Sequence, residues 1–277
     1  MPLMAKNIYL DGVNAPTLVL LRNLLALPVF YLIMHAQKLN IALEPKQYKS
    51  ALILSVFGSV LTPTLLFYSY NYISSGMATT LHFVYPVFVV LGCALFFGDG
   101  IGLIKGGCVL LCSIGTLLFY SPGEKVQFFG MALAIVSGIT LSVYIIYLGK
   151  SSLGKENAFK VGFYNAGICA VTMTVFSVLT GNLALPKSLP VWLLCIVFSM
   201  AVMIGAVVLF QMGTAIVGPQ RAAILSTFEP ITGIAIGIVA FDEPFGLNAA
   251  LGSVAIIAAV ILLTLFDKQV TPSGQSQ

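Results

Sequence analysis

Charged residues are scarce in this sequence of 277 residues, because Lys, Arg, Asp and Glu together make up 8% of the chain. Soluble domains carry about 25% charged residues, which cover their water-facing surface. This scarcity excludes a soluble globular enzyme. The chain also has only two histidines and contains no Walker motif, dinucleotide-binding loop, cluster of metal ligands or nucleophile elbow. We therefore expect no metal, no cofactor, no catalytic residue and no enzymatic activity.

Cysteine is present but is poorly placed for either of its usual special roles. A disulfide framework needs cysteines in oxidising loops, and a zinc site needs clustered thiolates or histidines. All five cysteines lie inside apolar runs, where we interpret them as small apolar side chains. These residues are Cys93, Cys108, Cys112, Cys169 and Cys195.

Long apolar runs take the place of charge, since 59% of the residues are hydrophobic. A helix needs about 20 apolar residues to cross a bilayer, and the runs are continuous rather than alternating, which excludes an outer-membrane barrel. The sequence predicts an all-α polytopic membrane protein that lies in a lipid bilayer. Nine full-length spans are predicted, at 16–35, 50–73, 76–97, 101–120, 127–148, 160–180, 190–214, 219–241 and 246–266.

An internal repeat relates the two halves of the chain. A shift of 144 positions pairs Pro86 with Pro230 and Phe97 with Phe241. We predict a first half at 1–122, a second half at 123–267 and a polar cytoplasmic tail at 268–277. Five helices per half is an odd number, so the halves must be inverted, as in many secondary transporters. Only ten residues precede the first loop, so we expect the first helix to lack about 17 residues, through a late start or a truncation.

The Lys and Arg residues predict the orientation. Nine of the 13 fall on one side of the predicted spans and four on the other, which places both termini in the cytoplasm if the first helix is complete. The net charge of +4 then reflects this topology, and we expect no nucleic-acid partner. Near the ends of their spans, Arg22 and Arg221 are expected to snorkel to lipid headgroups, with Arg22 as a gate residue the alternative.

Two sequence segments resemble each other and a known family. Residues 72–88, followed by Phe-Gly-Asp at 97–99, form a small-residue turn, an apolar helix with a central proline and a closing acidic residue. Residues 215–231, followed by Phe-Asp-Glu-Pro at 241–244, repeat that pattern. Together with the Glu229-Pro230 step, they resemble the EamA-like ten-helix members of the drug/metabolite transporter superfamily. Two features depart from the family pattern, namely the incomplete first helix and Gly-Asp in place of the usual Gly-Glu.

The resemblance implies transport of metabolites, amino acids or drugs across the cytoplasmic membrane, more often as export. It does not identify the substrate, and the oligomeric state stays open. Two alternatives remain: a non-transporting membrane scaffold or sensor with this fold, and a membrane-embedded enzyme that modifies lipids. The enzyme would need several convergent carboxylates or histidines, which this sequence does not supply.

Glu229 is the acidic residue predicted deepest within a span. A carboxylate at this depth costs several kcal/mol unless it is paired, neutralised or hydrated, so it is a candidate for substrate binding or proton coupling. The alternative is a structural carboxyl group bonded to neighbouring helices. Ser226 lies on the same predicted helix face, and Pro230 is expected to break the helix and free a backbone carbonyl.

The equivalent helix of the first half carries His82, Tyr85 and Pro86, with Pro86 as its expected break. His82 and Tyr85 share a face, and Tyr85 is the repeat partner of Glu229. His82 is a candidate for proton relay or ligand binding, although a single interior histidine is more often structural.

Further polar side chains are predicted at membrane depth. They comprise Ser137, Thr140 and Tyr144 on one helical stripe, and Tyr68 beyond a third helix break at Pro63. Ser and Thr in membrane helices mostly bond to backbone carbonyls, so each alone is ordinary. If the set faces one cavity, it forms a pocket suited to a zwitterionic or amphipathic metabolite.

Overall fold

The computed structural model describes residues 2–97, 102–118, 125–209 and 246–266, together with 232, 234–236, 238 and 239. Throughout these residues the secondary structure is helical, without a β-strand. Six helical segments are long and apolar enough to cross a membrane, which confirms the all-α polytopic fold. Of the predicted site residues, Ser226, Glu229 and Pro230 lie outside the described residues.

The helices follow one another with short connections. In chain order they are α1 (Pro2–Leu10), α2 (Ala15–Leu24), α3 (Leu27–Ala36), α4 (Pro45–Leu54), α5 (Thr62–Ser69), α6 (Ser75–His82), α7 (Tyr85–Phe97), α8 (Leu103–Leu118), α9 (Lys125–Lys150), α10 (Ala158–Leu179), α11 (Leu189–Ser199) and α12 (Leu247–Phe266). Two π-helical segments, Ser55–Leu61 and Met200–Val208, continue α4 and α11, and a 3₁₀ turn, Ser152–Lys155, follows α9.

Most predicted spans match helices within two or three residues, and one start is wrong. The span predicted at 50–73 is observed at Pro45–Ser69. The first turn of this helix is polar, so the apolar runs in the sequence did not reveal where the helix begins. The backbone N–H of Glu44 donates to Oε1 of Gln47 at 3.0 Å, and Pro45 occupies the first turn, so the start is a well-capped helix terminus.

Three of the described spans are irregular before a proline. The span Ala15–Ala36 is interrupted at Leu25 and Ala26, and the span Ser75–Phe96 at Phe83 and Val84. These breaks lie two or three residues before Pro28 and Pro86, because proline lacks the N–H that would continue the helix and crowds the preceding turn. The span Pro45–Ser69 widens into the π-helical segment Ser55–Leu61, which ends two residues before Pro63.

The described helices repeat at the same spacing as the sequence. Moved by 144 positions, the π-helical segment Ser55–Leu61 falls at 199–205, where the second segment, Met200–Val208, is found. The same shift brings the start of α8 onto the start of α12. These two helices pack closely, since a Cβ at Gly115 of α8 would lie 2.9 Å from the carbonyl oxygen of Gly252 in α12.

Polar side chains lie inside the bundle, while many large apolar ones lie outside it. Ser69, Thr80 and Ser199 are completely buried, whereas Val171 and Leu179 of α10 are exposed over 67% and 81% of their surfaces. A water-soluble fold shows the opposite arrangement. Exposed apolar helix faces and buried hydroxyl groups fit a bundle whose outer solvent is lipid.

Helix α9 organises the first-half spans around it. It packs against α5, α6, α7 and the π-helical segment Ser55–Leu61. Glycines allow these close approaches: a Cβ at Gly138 of α9 would lie 2.8 Å from the carbonyl oxygen of His82, and a Cβ at Gly58 would overlap the ring of Tyr144. The polar residues of α9 are therefore held against the irregular parts of its neighbours.

Candidate functional site

The structure brings four predicted or neighbouring polar residues together between α5, α6 and α9. We call His82, Ser137, Thr140 and Thr62 the α9 cluster. Nδ1 of His82 lies 2.7 Å from Oγ of Ser137, and Oγ1 of Thr62 lies 2.8 Å from Oγ1 of Thr140. All four residues are buried. The predicted stripe on α9 is therefore a continuous polar contact with two other spans.

The hydrogen bonds of Ser137 indicate which ring nitrogen of His82 carries the hydrogen. Oγ of Ser137 also donates to the carbonyl oxygen of Ala134 at 2.7 Å, so its single hydrogen is already used. The contact with His82 is then satisfied only when Nδ1–H of the imidazole donates to Ser137. In the neutral ring this arrangement leaves Nε2 as the acceptor nitrogen.

The two threonines form an oxygen-rich pair. Oγ1 of Thr62 lies 2.6 Å from the carbonyl oxygen of Phe57, and Oγ1 of Thr140 lies 2.8 Å from that of Ser137. With the contact between the hydroxyl groups, three short contacts share two hydroxyl hydrogens. The pair can thus accept one further hydrogen bond from a donor brought by a ligand or a water molecule.

Side chains from neighbouring helices engage carbonyls next to two of the helix breaks. The carbonyl oxygen of Ser59, one turn before Pro63, accepts a hydrogen bond from Sγ of Cys169 at 3.2 Å. That of Tyr85, beside Pro86, accepts one from Oγ of Ser142 at 2.8 Å. Irregular backbone at membrane depth is stable only with such partners or beside water.

The remaining predicted residues are less tightly grouped. Tyr144 lies one turn beyond Thr140, with its ring on Gly58, and Tyr85 is half-buried with its ring 5.3 Å from that of Phe83. Tyr68 is half-buried against the main apolar core. A second-half counterpart of the cluster would include Ser226 and Glu229, which the 144-residue shift pairs with His82 and Tyr85.

Sequence reasoning placed Arg22 incorrectly. Its side chain does not extend along the lipid to the headgroups, because only 7% of the residue is exposed. The guanidinium carbon lies 5.8 Å from the ring centroid of Phe67 in α5. The sequence signal that indicated burial was its depth, since Arg22 is the eighth residue of the span that begins at Ala15.

Hydrogen bonds join the α1–α2 connection to the α10–α11 connection at one end of the bundle. Oδ2 of Asp11 accepts hydrogen bonds from the backbone N–H groups of Lys187 at 2.6 Å and Ser188 at 3.2 Å, just before α11 begins. These bonds lower the pKa of Asp11, with the bond from Lys187 as the largest cause. Nearby, Nδ2 of Asn14 donates to the carbonyl oxygen of Asn182 at 2.6 Å. The α1–α2 connection is thereby tied to the α10–α11 connection.

A second polar contact lies at the start of α10. Oε1 of Glu156 accepts a hydrogen bond from Nε2 of Gln47 at 3.0 Å, and its other oxygen lies 3.3 Å from Nζ of Lys160. The bond from Gln47, with the smaller contribution of Lys160, lowers the pKa of Glu156. Elsewhere in the described part of the chain, no three His, Cys, Asp or Glu side chains are grouped closely enough to hold a metal ion.

These features define a polytopic helical membrane protein with buried polar contacts at discontinuous spans. The sequence profile of the EamA-like transporter family matches residues 1–121 and 128–265. The chain therefore belongs to the EamA-like transporter family, which confirms the resemblance found in its motifs.

Several proteins are similar to the chain along much of its length. An uncharacterized transporter of Archaeoglobus fulgidus is 26% identical over 67% of this chain and 66% of its own length. An uncharacterized transporter of Synechocystis, sll1319, is 28% identical over 76% of this chain and 64% of its own length. The chain thus covers slightly less than two thirds of these two relatives.

Two further comparisons cover more of both partners. An uncharacterized inner membrane transporter of Salmonella typhimurium, YicL, is 25% identical over 87% of this chain and 81% of its own length. A solved crystal structure superposes with a TM-score of 0.64 at 16% identity and covers 95% of this chain and 94% of its own. The latter likeness concerns the fold alone.

Proposed function

We propose that this protein is a secondary transporter that exports small organic solutes, such as metabolites, amino acids or drug-like molecules, across the cytoplasmic membrane by alternating access. The α9 cluster carries this proposal, because it places buried polar groups where α5 and α6 meet helix breaks at Pro63 and Pro86. Discontinuous helices at membrane depth are a recurrent feature of secondary transporters, in which they form substrate and ion sites.

Two inverted five-helix halves would rock against each other and open the site alternately to either side. The separate matches of the family profile to residues 1–121 and 128–265 support this division, as does the recurrence of the π-helical segments. Both termini would lie in the cytoplasm if the first helix is complete. The chain would act without a cofactor or enzymatic step, so its energy would come from the substrate gradient or from protons.

Proton coupling would use His82 together with Glu229. The hydrogen bond to Ser137 fixes the imidazole and leaves Nε2 as its proton acceptor. Glu229 is the repeat partner of Tyr85, three residues beyond His82, so the two halves would contribute one titratable group each. Ser226, Thr140 and Tyr144 in the second half and Tyr85 and Tyr68 in the first would contact the solute.

The experiment is efflux and uptake of an amino-acid and cationic-dye panel in proteoliposomes with an imposed pH gradient. We expect saturable flux in the wild type, and loss of its gradient-driven part in His82→Asn and Glu229→Gln. The matched control is His35→Asn, because His35 is the other histidine and is exposed near the end of α3.

Each outcome has a distinct meaning. Flux that responds to the gradient equally in His82→Asn and the wild type would remove His82 from the coupling pathway. Flux unchanged in Glu229→Gln would make Glu229 structural. Absence of flux for the whole panel, with correctly folded protein, would favour a membrane scaffold or sensor over a transporter.

A further inference from the structure

Arg22 is a charged side chain held inside the bundle, apart from the α9 cluster. It belongs to α2, and 93% of the residue is buried, since 7% is exposed. Its backbone carbonyl accepts a hydrogen bond from Oγ of Ser199 in α11 at 2.5 Å, and its guanidinium faces Phe67 of α5. Arg22 therefore lies where α2, α5 and α11 meet.

The charge of Arg22 is not balanced by the described part of the protein. Nε of Arg22 is buried and makes no hydrogen bond there. The described carboxylates are those of Asp11, Glu44 and Glu156, all of which lie in connections between helices. The adjacent Asn23 uses its amide group to donate to the carbonyl oxygen of Val19 at 2.8 Å. The residue is thus a buried cation that lacks an anion among these residues.

Such a cation is costly in a bilayer unless an anion accompanies it. A guanidinium presents a planar fork of donors that fits a carboxylate with two parallel hydrogen bonds. The rings beside it, Phe67 of α5 and Phe198 of α11, are completely buried with their centroids 6.1 Å apart, so they form an apolar wall that offers the guanidinium no acceptor.

We propose that Arg22 binds the carboxylate of the transported solute, and that the solutes include small carboxylates with an apolar body. This assignment rests on the proposed transport function and specifies its substrate class. The carboxylate would be held by Arg22 of α2. Binding would then neutralise the charge that the empty protein keeps buried.

The test uses phenylacetate and its neutral isostere phenylacetamide, which differ in charge but hardly in shape. Binding of both radiolabelled probes to the purified full chain in detergent is measured by equilibrium dialysis at neutral pH. We expect phenylacetate to bind at least about tenfold more tightly than phenylacetamide, as one charge-assisted pair of hydrogen bonds implies. Arg22→Gln should lose this preference and Arg22→Lys should keep part of it.

Lys187→Gln is the matched control, because it removes the same charge outside the spans. It should bind both probes as the wild type does. Size-exclusion chromatography checks that each variant is folded. If Arg22→Gln does not fold, the test relies on two other results, namely the preference of the wild type for phenylacetate over phenylacetamide and a reduced preference in Arg22→Lys.

Several results would overturn the proposal. They are equal affinity of the wild type for both probes, no saturable binding of phenylacetate, or an unchanged preference in Arg22→Gln. A further one is restoration of the unfolding temperature of Arg22→Gln by Glu229→Gln, which would make Glu229 the partner of Arg22. Phenylacetate binding by a protein that moves no solute would instead keep the site and refute the transport function. Flux of the dye panel by a protein that does not prefer phenylacetate over phenylacetamide would keep the transport function and refute the site at Arg22.

Discussion

Gly138→Ala tests the contact that holds His82 against α9. A Cβ at this position would lie 2.8 Å from the carbonyl oxygen of His82 and 3.5 Å from the backbone nitrogen of Tyr85. Both are backbone atoms, so they cannot rotate away as the end of a flexible side chain would. Since ordinary contacts begin near 3.4 Å, α6 and α9 must separate by about 0.6 Å.

The expected loss of stability is the balance of two terms. Overpacking of this kind costs about 1–3 kcal/mol, and weakening of the hydrogen bond between His82 and Ser137 adds up to about 1 kcal/mol. Replacing glycine by alanine in a helix interior contributes about 0.5–1 kcal/mol in the opposite direction. With the middle of each range, we expect Gly138→Ala to lower the free energy of unfolding by about 2 kcal/mol.

Gly167→Ala is the matched control. Gly167 also lies within a long helix, α10, but a Cβ there would meet only Cδ2 of Leu27, at an ordinary 3.7 Å. This variant should keep or raise the stability of the protein. Thermal unfolding in detergent, followed with a thiol-reactive fluorophore, suits the measurement because the described free cysteines are buried. Equal stability of the two variants would show that α6 and α9 do not meet at Gly138.

Two further predictions concern the polar contacts outside the spans. The depressed pKa of Asp11 means that its bonds to the backbone at Lys187 stabilise the fold above the unfolded pKa of about 3.9 and are lost as pH falls through the lower folded pKa. The unfolding temperature of Asp11→Asn should therefore be lower than that of the wild type at pH 6, and the two unfolding temperatures should converge as the pH falls to 3. A constant difference between them across this range would contradict the prediction. In the pair of Glu156 and Lys160, 28% of the Glu156 side chain and 10% of the Lys160 side chain are exposed. Because Glu156 stays in contact with solvent, Lys160→Gln should cost about 0.5–1 kcal/mol at low salt, and a loss above about 2 kcal/mol in chemical denaturation would show that the pair is stronger than a solvent-screened ion pair.

The sequence was sufficient to predict the helices because apolar runs report directly on bilayer thickness. The stripe of Ser137 and Thr140 on α9 also followed from helical spacing. Their partners did not, because the contact of Thr62 with Thr140 depends on how α9 packs against the π-helical segment Ser55–Leu61. Hydrophobicity carries no information on such packing, and a proline such as Pro63 indicates that a helix is disturbed without specifying how.

The orientation of the Arg22 side chain could not be predicted from the sequence either. A charged residue near the end of an apolar run is compatible with both a lipid-facing and an inward orientation, and composition favours the former since snorkelling is inexpensive. The inward orientation became clear only from the position of Phe67 and the bond between Ser199 and the backbone of Arg22. The bundle thus has two distinct polar regions, the α9 cluster and Arg22. If both proposals hold, their roles differ, because the imidazole of His82 would take up and release a proton during transport whereas the guanidinium of Arg22 keeps its charge. Replacing His82 would then change the response of flux to the pH gradient and leave the affinity for the solute unchanged.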